Sequence, residues 1–283
     1  MRILRDSEFF LSEQHTFCLF SMNNQLMEGV HGHDFDEIVI VRNGSGFHII
    51  NDEVRFICEG DFFLVTTNDT HSYVSTNNLS VINILVRRTR NFYFLQQMDV
   101  LLAMVKEHLL RQNEITLTCS VLQSIERWSQ EIISRNDSVY DVLYFSAIEG
   151  AFFNILNALC HCGREAQTLS AEERGRANLI RTLKTSSLRH LDWNAVSDEN
   201  GIARRTMFRF IKRVTGYTPV KFQMLFRLLK AQELLRTTDK TVSEIAVRCG
   251  FMNGIRLTES YKRYFKYSPS RERELHSRIL TAI

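Results

Sequence analysis

The sequence predicts two domains: an N-terminal β domain followed by a helical segment, and a C-terminal all-α domain built on two helix-turn-helix units. Three observations carry this. Residues 31–86 hold short β-branched and aromatic runs, DEIVIV, GFHIIND, VRFI, DFFLVT and LSVINILV, punctuated by Gly, Asn and Asp at roughly ten-residue intervals. From about residue 92 the apolar spacing lengthens to three and four. Two similar phrases, FIKRVTGYTPVKF and SYKRYFKYSPSRE, contain the only two prolines, Pro219 and Pro269, 50 positions apart.

Regularly spaced short strands point to a small barrel or sandwich over about residues 1–90. Helices are expected over about 92–162. One carries the stripe Val121, Ile125, Trp128 and Ile132, expected to pair two protomers. Another, DVLYFSAIEGAFFNILNALCHC, is apolar nearly all round and is expected to be buried. No apolar run is read as approaching the ~18 residues that span a bilayer. Arg5, Asp6 and Glu8 interrupt the place where a signal peptide needs an apolar stretch. The six cysteines are scattered, as in a reducing compartment, and Cys160 and Cys162 lack a second pair at metal-ligand spacing. A cytoplasmic protein without a membrane partner is expected.

The polar stretch GREAQTLSAEERGR places a linker at 166–177, between a domain 1–165 and a domain 178–276. DWNAVSDENG and TVSEIAVRCG each read as a short helix ended by Gly201 or Gly250, residues suited to the left-handed position past a helix end. A second helix of about ten residues follows each, giving helix-turn-helix units at about 192–213 and 241–264, each taken to end at its proline phrase. Residues 220–236 are expected to form the helix that joins them.

The net charge of +3 is unevenly distributed. Residues 1–170 hold 12 Lys and Arg against 21 Asp and Glu, a net −9; residues 171–283 hold 23 against 11, a net +12. The basic part is the expected footprint of a polyanion binder. In the first unit Met207, Ile211 and Val214 form the core stripe, and Arg205 and Arg209 share another face, where guanidinium groups suit guanine edges. Lys212 and Arg213 suit phosphates. In the second unit Leu257, Tyr261 and Phe265 form the stripe, and Asn253, Arg256, Ser260 and Arg263 lie together on another face. Each of these polar residues is expected to meet a base edge, with a phosphate contact or a plain surface charge as the alternative, and two such helices fit successive major grooves of double-stranded promoter DNA, ~34 Å apart.

The phrases WNAVSDENGIARRTMFRFIKRVTGYTP and VSEIAVRCGF…YKRYFKYSP resemble the DNA-binding domain of the AraC/XylS family of bacterial transcription regulators. DSEFFLS, HGHDFDEIVIVRNGSGFHIIND and DTHSYVSTNNLSVINILVR extend the likeness to the rhamnose-operon activators of that family. The resemblance implies a cupin-like sensor barrel, a helical dimerisation segment and a seven-helix DNA-binding domain. It implies an activator of sugar-catabolic genes, a homodimer switched by a small sugar, with Glu244 facing RNA polymerase. A repressor, or a regulator independent of ligand, uses the same parts. The chain departs from the pattern at Ala203, where a capping Ser is common, and at GFMNGIRLTES, where Asn253, Ile255, Arg256 and Leu257 replace the usual residues. Gly254 weakens that helix by up to ~1 kcal/mol relative to alanine.

HGHDFDEIVIVRNG also resembles the first metal motif of cupins, with His71 where the second motif supplies its histidine. His31, His33, Glu37 and His71 would then form a three-His, one-carboxylate set, which supports a rival reading as a cupin metalloenzyme. The second motif is eroded in GDFFLVTTNDTH, and the regulators resembled commonly keep these histidines without metal, so no cofactor is expected. A sugar pocket is expected from His31, His33, Glu37, His48, Asn51, His71 and Tyr73, which offer hydroxyl partners and an aromatic face.

Overall fold

A computed structural model describes residues 2–23, 29–89, 92–111, 116–135, 140–162 and 170–281. The chain divides into two compact units, one drawn from the first 168 residues and the other chiefly from Leu169–Ile283.

The N-terminal part of the chain forms a seven-stranded sheet, of which residues 51–56 group with the second unit, followed by three helices. Its strands are β1 (Arg2–Leu4), β2 (Phe17–Met22), β3 (His31–His33), β4 (Asp36–Ile50), β5 (Glu53–Cys58), β6 (Phe62–Val65) and β7 (His71–Val86). DEIVIV and GFHII, expected as separate strands, are one strand, β4. It pairs antiparallel with β7 from Asp36↔Val86 to Ile50↔His71. The glycine-rich stretch between them is an irregularity, not a turn: the register shifts between Val41 and Phe47. Gly44 sits there at φ 76°, where an added Cβ would lie 2.2 Å from the Asn78 carbonyl oxygen, so only glycine lets the partners close.

β4 and β7 are buried on both faces, which is why EIVIV and VINILV are continuous rather than alternating. Ile38, Ile40, Ile82, Ile84 and Val86 face a core shared with the helices; Val39, Val41, Leu79 and Val81 face the other way. The helices are α1 (Met98–Arg111), α2 (Cys119–Ile133) and α3 (Val142–His161). The stripe expected to pair protomers is partly spent within this chain. Ile125 is fully buried in this core, and Val121, Trp128 and Ile132 pack against it.

α3 is long and apolar enough to cross a membrane, contrary to the reading of the sequence. Phe145, Ile148, Phe152, Ile155 and Leu159 pack into the core. Burial does not extend all round, since Leu143 is 76% exposed and Val142 61%. The helix also buries Glu149, whose carboxylate accepts from the backbone N–H groups of Tyr93, Phe94 and Leu95 at 2.8, 2.8 and 3.1 Å. Removing it orphans three donors. Glu149→Ala is expected to lower the unit's stability by about 2–3 kcal/mol in urea unfolding, a charge-assisted bond being worth more than a neutral one.

Apart from Asn51–Phe56, the second unit is helical. Its helices are α4 (Ala171–Ser186), α5 (Trp193–Glu199), α6 (Arg204–Thr215), α7 (Pro219–Thr237), α8 (Val242–Arg248), α9 (Gly254–Phe265) and α10 (Pro269–Thr281). The expected linker lies outside the described residues up to 169. From Ala171 the chain is helical, because Ser170 and Glu173 cap each other's backbone N–H groups reciprocally.

The two prolines do not end the helix-turn-helix units; they begin the helices that follow. Pro219 is the first residue of α7 behind the capping Thr218, and Pro269 the first of α10 behind Ser268. Proline suits that position because its missing N–H has no partner to lose there.

Candidate nucleic-acid interface and sensor cavity

In each helix-turn-helix the short first helix ends on a left-handed glycine, Gly201 at φ 62° and Gly250 at φ 75°. The second helix is strongly two-faced. Met207 and Ile211 of α6, and Leu257 and Tyr261 of α9, are fully buried. Val214 and Phe265, expected in the stripes, are half-buried.

A helix turns 100° per residue, so positions two and six apart from a buried residue oppose it. Opposite Met207 and Ile211 runs an exposed column of Arg205, Arg209 and Arg213. Arg209 and Arg213 also line an open groove of about 580 Å³ with Arg176 of α4. Phe210 lies in that groove between the guanidinium groups of Arg176 and Arg213, 5.8 and 5.5 Å from its ring centre. Lys212 is exposed beside the column.

The recognition helices correspond at an offset of 50, which places Ile255 and Glu259 where α6 has Arg205 and Arg209, and Arg263 where it has Arg213. Ile255 is 70% exposed and Met252, just before the helix, 87%. Neither Ile255 nor Glu259 was among the residues expected to read DNA, although the same 100° arithmetic applied to α9 places them there. Arg256 lies beside that column, paired with Glu259 at 3.1 Å. Ser260 is half-buried at the flank. Asn253 caps α9, its side-chain oxygen accepting from Arg256 N–H at 3.0 Å. Ala203 makes no such side-chain cap for α6.

Glu244 occupies a capping box. Its carboxylate accepts from the backbone N–H and the hydroxyl of Thr241, both at 2.8 Å, and these bonds hold its carboxyl below the usual range. The motif T-x-x-E signals that role in the sequence.

In the first unit a cavity of about 340 Å³ opens among β1, β2, β3, β4 and β7. His31, His33, Glu37, His71 and Tyr73 line it, all buried. Asn83 also lines it with a buried carbonyl oxygen that has no protein partner; its in-phase position with His71 and Tyr73 along β7 could have marked it. Phe9, Phe20 and Phe35 supply apolar walls.

His48 is not on the wall. It stands behind His71, its Nε2 3.1 Å from His71 Nδ1, and stacks on Phe63 with ring centres 4.1 Å apart. Asn51 is not there either: with Asp52 it forms the two-residue turn between β4 and β5, at φ 49° and 66°, a geometry Asn and Asp tolerate.

His33 Nδ1 donates to the Phe35 carbonyl oxygen at 2.6 Å, and His31 Nδ1 lies 2.9 Å from that of Gly29. Glu37 Oε2 stands 3.4 Å from His33 Nε2 and 3.5 Å from His71 Nε2. Burial pulls the His33 pKa down, yet the Glu37 carboxylate overrides it and the net shift is upward. Burial, then the neighbouring His48, His31 and His33, push that of His71 down to about 2. The CHC sequence builds nothing comparable: the Cys162 thiol donates to the Leu159 carbonyl at 2.9 Å, and burial raises its pKa to about 12.

The sequence matches the family described as "AraC-like ligand binding domain" over residues 16–99 and that described as "Helix-turn-helix domain" over 196–274. The first match spans most of the strands that line the cavity, and the second spans both α6 and α9. The chain is 29% identical over 266 residues to "HTH-type transcriptional activator RhaS" of Mannheimia succiniciproducens, covering 93% of this chain and 95% of that protein. It is 27% identical to the protein of the same name from Pectobacterium carotovorum, covering 95% and 96%. Among solved structures, the DNA-binding domain of AdpA in complex with a target DNA is 29% identical, with a TM-score of 0.34, over 36% of this chain and 92% of that one.

Proposed function

We propose that this chain is a transcriptional activator of the AraC type that binds promoter DNA through α6 and α9 and takes a small, rhamnose-like sugar in its N-terminal cavity. The observation that carries the DNA half is the exposed column Arg205, Arg209 and Arg213 on a helix whose opposite face is fully buried. Relatives named as activators over almost the whole chain support the regulatory half, as against an enzyme. The cavity's buried hydrogen-bonding groups and phenyl walls support a polyhydroxy ligand. RNA polymerase is the partner of an activator, and the Glu244 oxygen not engaged by Thr241 is the one available to it. Two copies are taken to act together, in the cytoplasm. Val121 and Trp128 are half-exposed beside Ala158 and are the part of the α2 stripe a second copy can reach, so sedimentation of Trp128→Ala tests the dimer.

The deciding experiment is thermal unfolding against a panel of sugars that includes L-rhamnose. A ligand at ~100 times its Kd raises stability by ~2.7 kcal/mol. No shift with any sugar, in protein that still binds DNA selectively, removes the sugar from the reading and leaves the regulator.

The two helices present different chemistry. Arg205 and Arg209 suit guanine O6 and N7, whereas Ile255 suits the thymine methyl and Glu259 accepts from cytosine N4. Selection from random duplexes is expected to return a half-site with guanine under α6 and pyrimidine under α9. Arg209→Ala should cost about 1–3 kcal/mol and relax one base pair. An equal loss on every sequence would assign Arg209 to phosphate.

A further inference from the structure

We propose that Met252 and Ile255 together form an apolar reader of pyrimidine C5-methyl groups in the DNA major groove, so that the half-site under α9 is recognised by its methyl groups. This rests on the reading of α9 as a DNA-contacting helix. It adds a residue, Met252, and a chemical class, the methyl carried by thymine or by 5-methylcytosine.

The turns of the two helix-turn-helix units differ in length. In each, the residue after the left-handed glycine bonds back to the first helix: Ile202 N–H donates to the Ser197 carbonyl at 3.1 Å, and Phe251 N–H to that of Ala246 at 2.8 Å. Ala203 follows at once as the N-cap of α6, whereas the N-cap of α9, Asn253, comes one residue later. The extra residue is Met252. Phe251 belongs to the buried core with Leu257 and Tyr261, which anchors the turn beside it. Met252 is 87% exposed, more than any other large apolar side chain among the described residues, and Ile255 in the first turn of α9 is 70% exposed. Neither is part of the core on which α9 rests. A single exposed apolar residue is ordinary on a surface. Two at the start of a recognition helix stand where base contacts concentrate.

The polar groups beside them are engaged within the helix. Asn253 uses its side-chain oxygen to accept from Arg256 N–H at 3.0 Å, and the Arg256 guanidinium pairs with Glu259 at 3.1 Å. The leading end of α9 therefore offers apolar surface, and the apolar group that the standard bases present in the major groove is the thymine C5-methyl. A methyl on the same carbon of cytosine presents the same surface. Burying one methyl-sized group changes affinity about fourfold, from ~0.8 kcal/mol for a buried CH₂.

The test uses the full chain and a duplex selected from random sequence, with affinity read by fluorescence anisotropy. Each thymine is replaced singly by deoxyuridine, which removes only the methyl, and each cytosine singly by 5-methylcytosine. Two positions in one half-site are expected to respond: a loss of about fourfold with deoxyuridine where thymine carries the methyl, or a gain of about fourfold with 5-methylcytosine where a cytosine stands. Met252→Ala should abolish the response at one position and Ile255→Ala at the other. Melting temperatures should stay unchanged, because both side chains lie outside the core. Met252→Gln keeps the length of the side chain, loses its apolar end and should behave as Met252→Ala. Responses that persist in both alanine variants would overturn the reader in favour of other residues. Selective binding with no methyl response at any position would overturn it too, and would leave the exposed pair as a contact for a protein. Failure to select any duplex would instead remove the DNA-binding reading on which the reader rests.

Discussion

Glu272→Ala destabilises the C-terminal unit by about 3–5 kcal/mol, the cost of breaking a buried ionic network by removing one partner. The Glu272 side chain is almost fully buried. One carboxylate oxygen accepts from Tyr261 OH at 2.7 Å, Tyr267 OH at 2.6 Å and Gln232 Nε2 at 2.9 Å. The other accepts from Arg236 Nε at 2.7 Å. This carboxylate ties α7, α9 and α10 together, and Tyr261 is the core residue on which the second recognition helix rests. Alanine leaves four donors unmatched. Burial alone would raise the Glu272 pKa, but the hydrogen bonds from Gln232, Tyr267 and Tyr261 and the charge of Arg236 outweigh it, so the net shift is downward. A carboxyl lowered in the folded state adds stability above its unfolded pKa and loses it as pH falls through its folded one. The wild type should therefore lose an acid-side increment that Glu272→Ala lacks. Urea unfolding followed by Trp193 in a Trp128→Phe background reads this unit alone, because the chain has only two tryptophans. A loss below about 1 kcal/mol would mean that water replaces the carboxylate at no great cost.

Gly250→Ala should rank next, and well above Gly201→Ala. Both glycines are left-handed, which costs alanine about 1–2 kcal/mol. At Gly201 nothing lies within 4 Å of an added Cβ. At Gly250 it would lie 2.0 Å from the Leu188 carbonyl oxygen and 3.0 Å from the Arg227 guanidinium. Neither neighbour can retreat cheaply. Arg227 Nε donates to the Ser187 carbonyl at 3.3 Å, and its terminal nitrogen to that of Arg189 at 2.6 Å, holding this loop against α7. Overpacking adds about 1–3 kcal/mol. Equal losses at the two glycines would show that the loop moves freely and that the backbone angle alone matters.

Much of the C-terminal unit was legible because its signals are local. Gly201 and Gly250 lie within a few residues of the helix ends they mark, and the buried stripe of each recognition helix repeats within one element. The reciprocal caps Ser170–Glu173 and Thr241–Glu244 are local too; they were there to be read, and reading them would have started α4 at Ala171 and given Glu244 a structural task. The prolines were misread for a different reason. A Thr-Pro or Ser-Pro pair marks a boundary, and whether it closes one element or opens the next depends on the helix that follows.

By itself the sequence determined the two-domain plan, the strand and helix periods, the separation of charge and the repeated helix-turn-helix, all of which rest on residues close together in the chain. Only the tertiary structure decided which polar groups matter once buried. Glu149 meets backbone more than 50 residues away, Glu272 meets Gln232 40 residues away, and His33 and Glu37 meet His71 across neighbouring strands. It also decided that Ile125 of the α2 stripe is buried in this chain's own core and that His48 and Asn51 stand off the cavity wall. A buried polar side chain takes its meaning from the partner that replaces water, and here the chain supplies that partner from a distance at which the sequence carries no period.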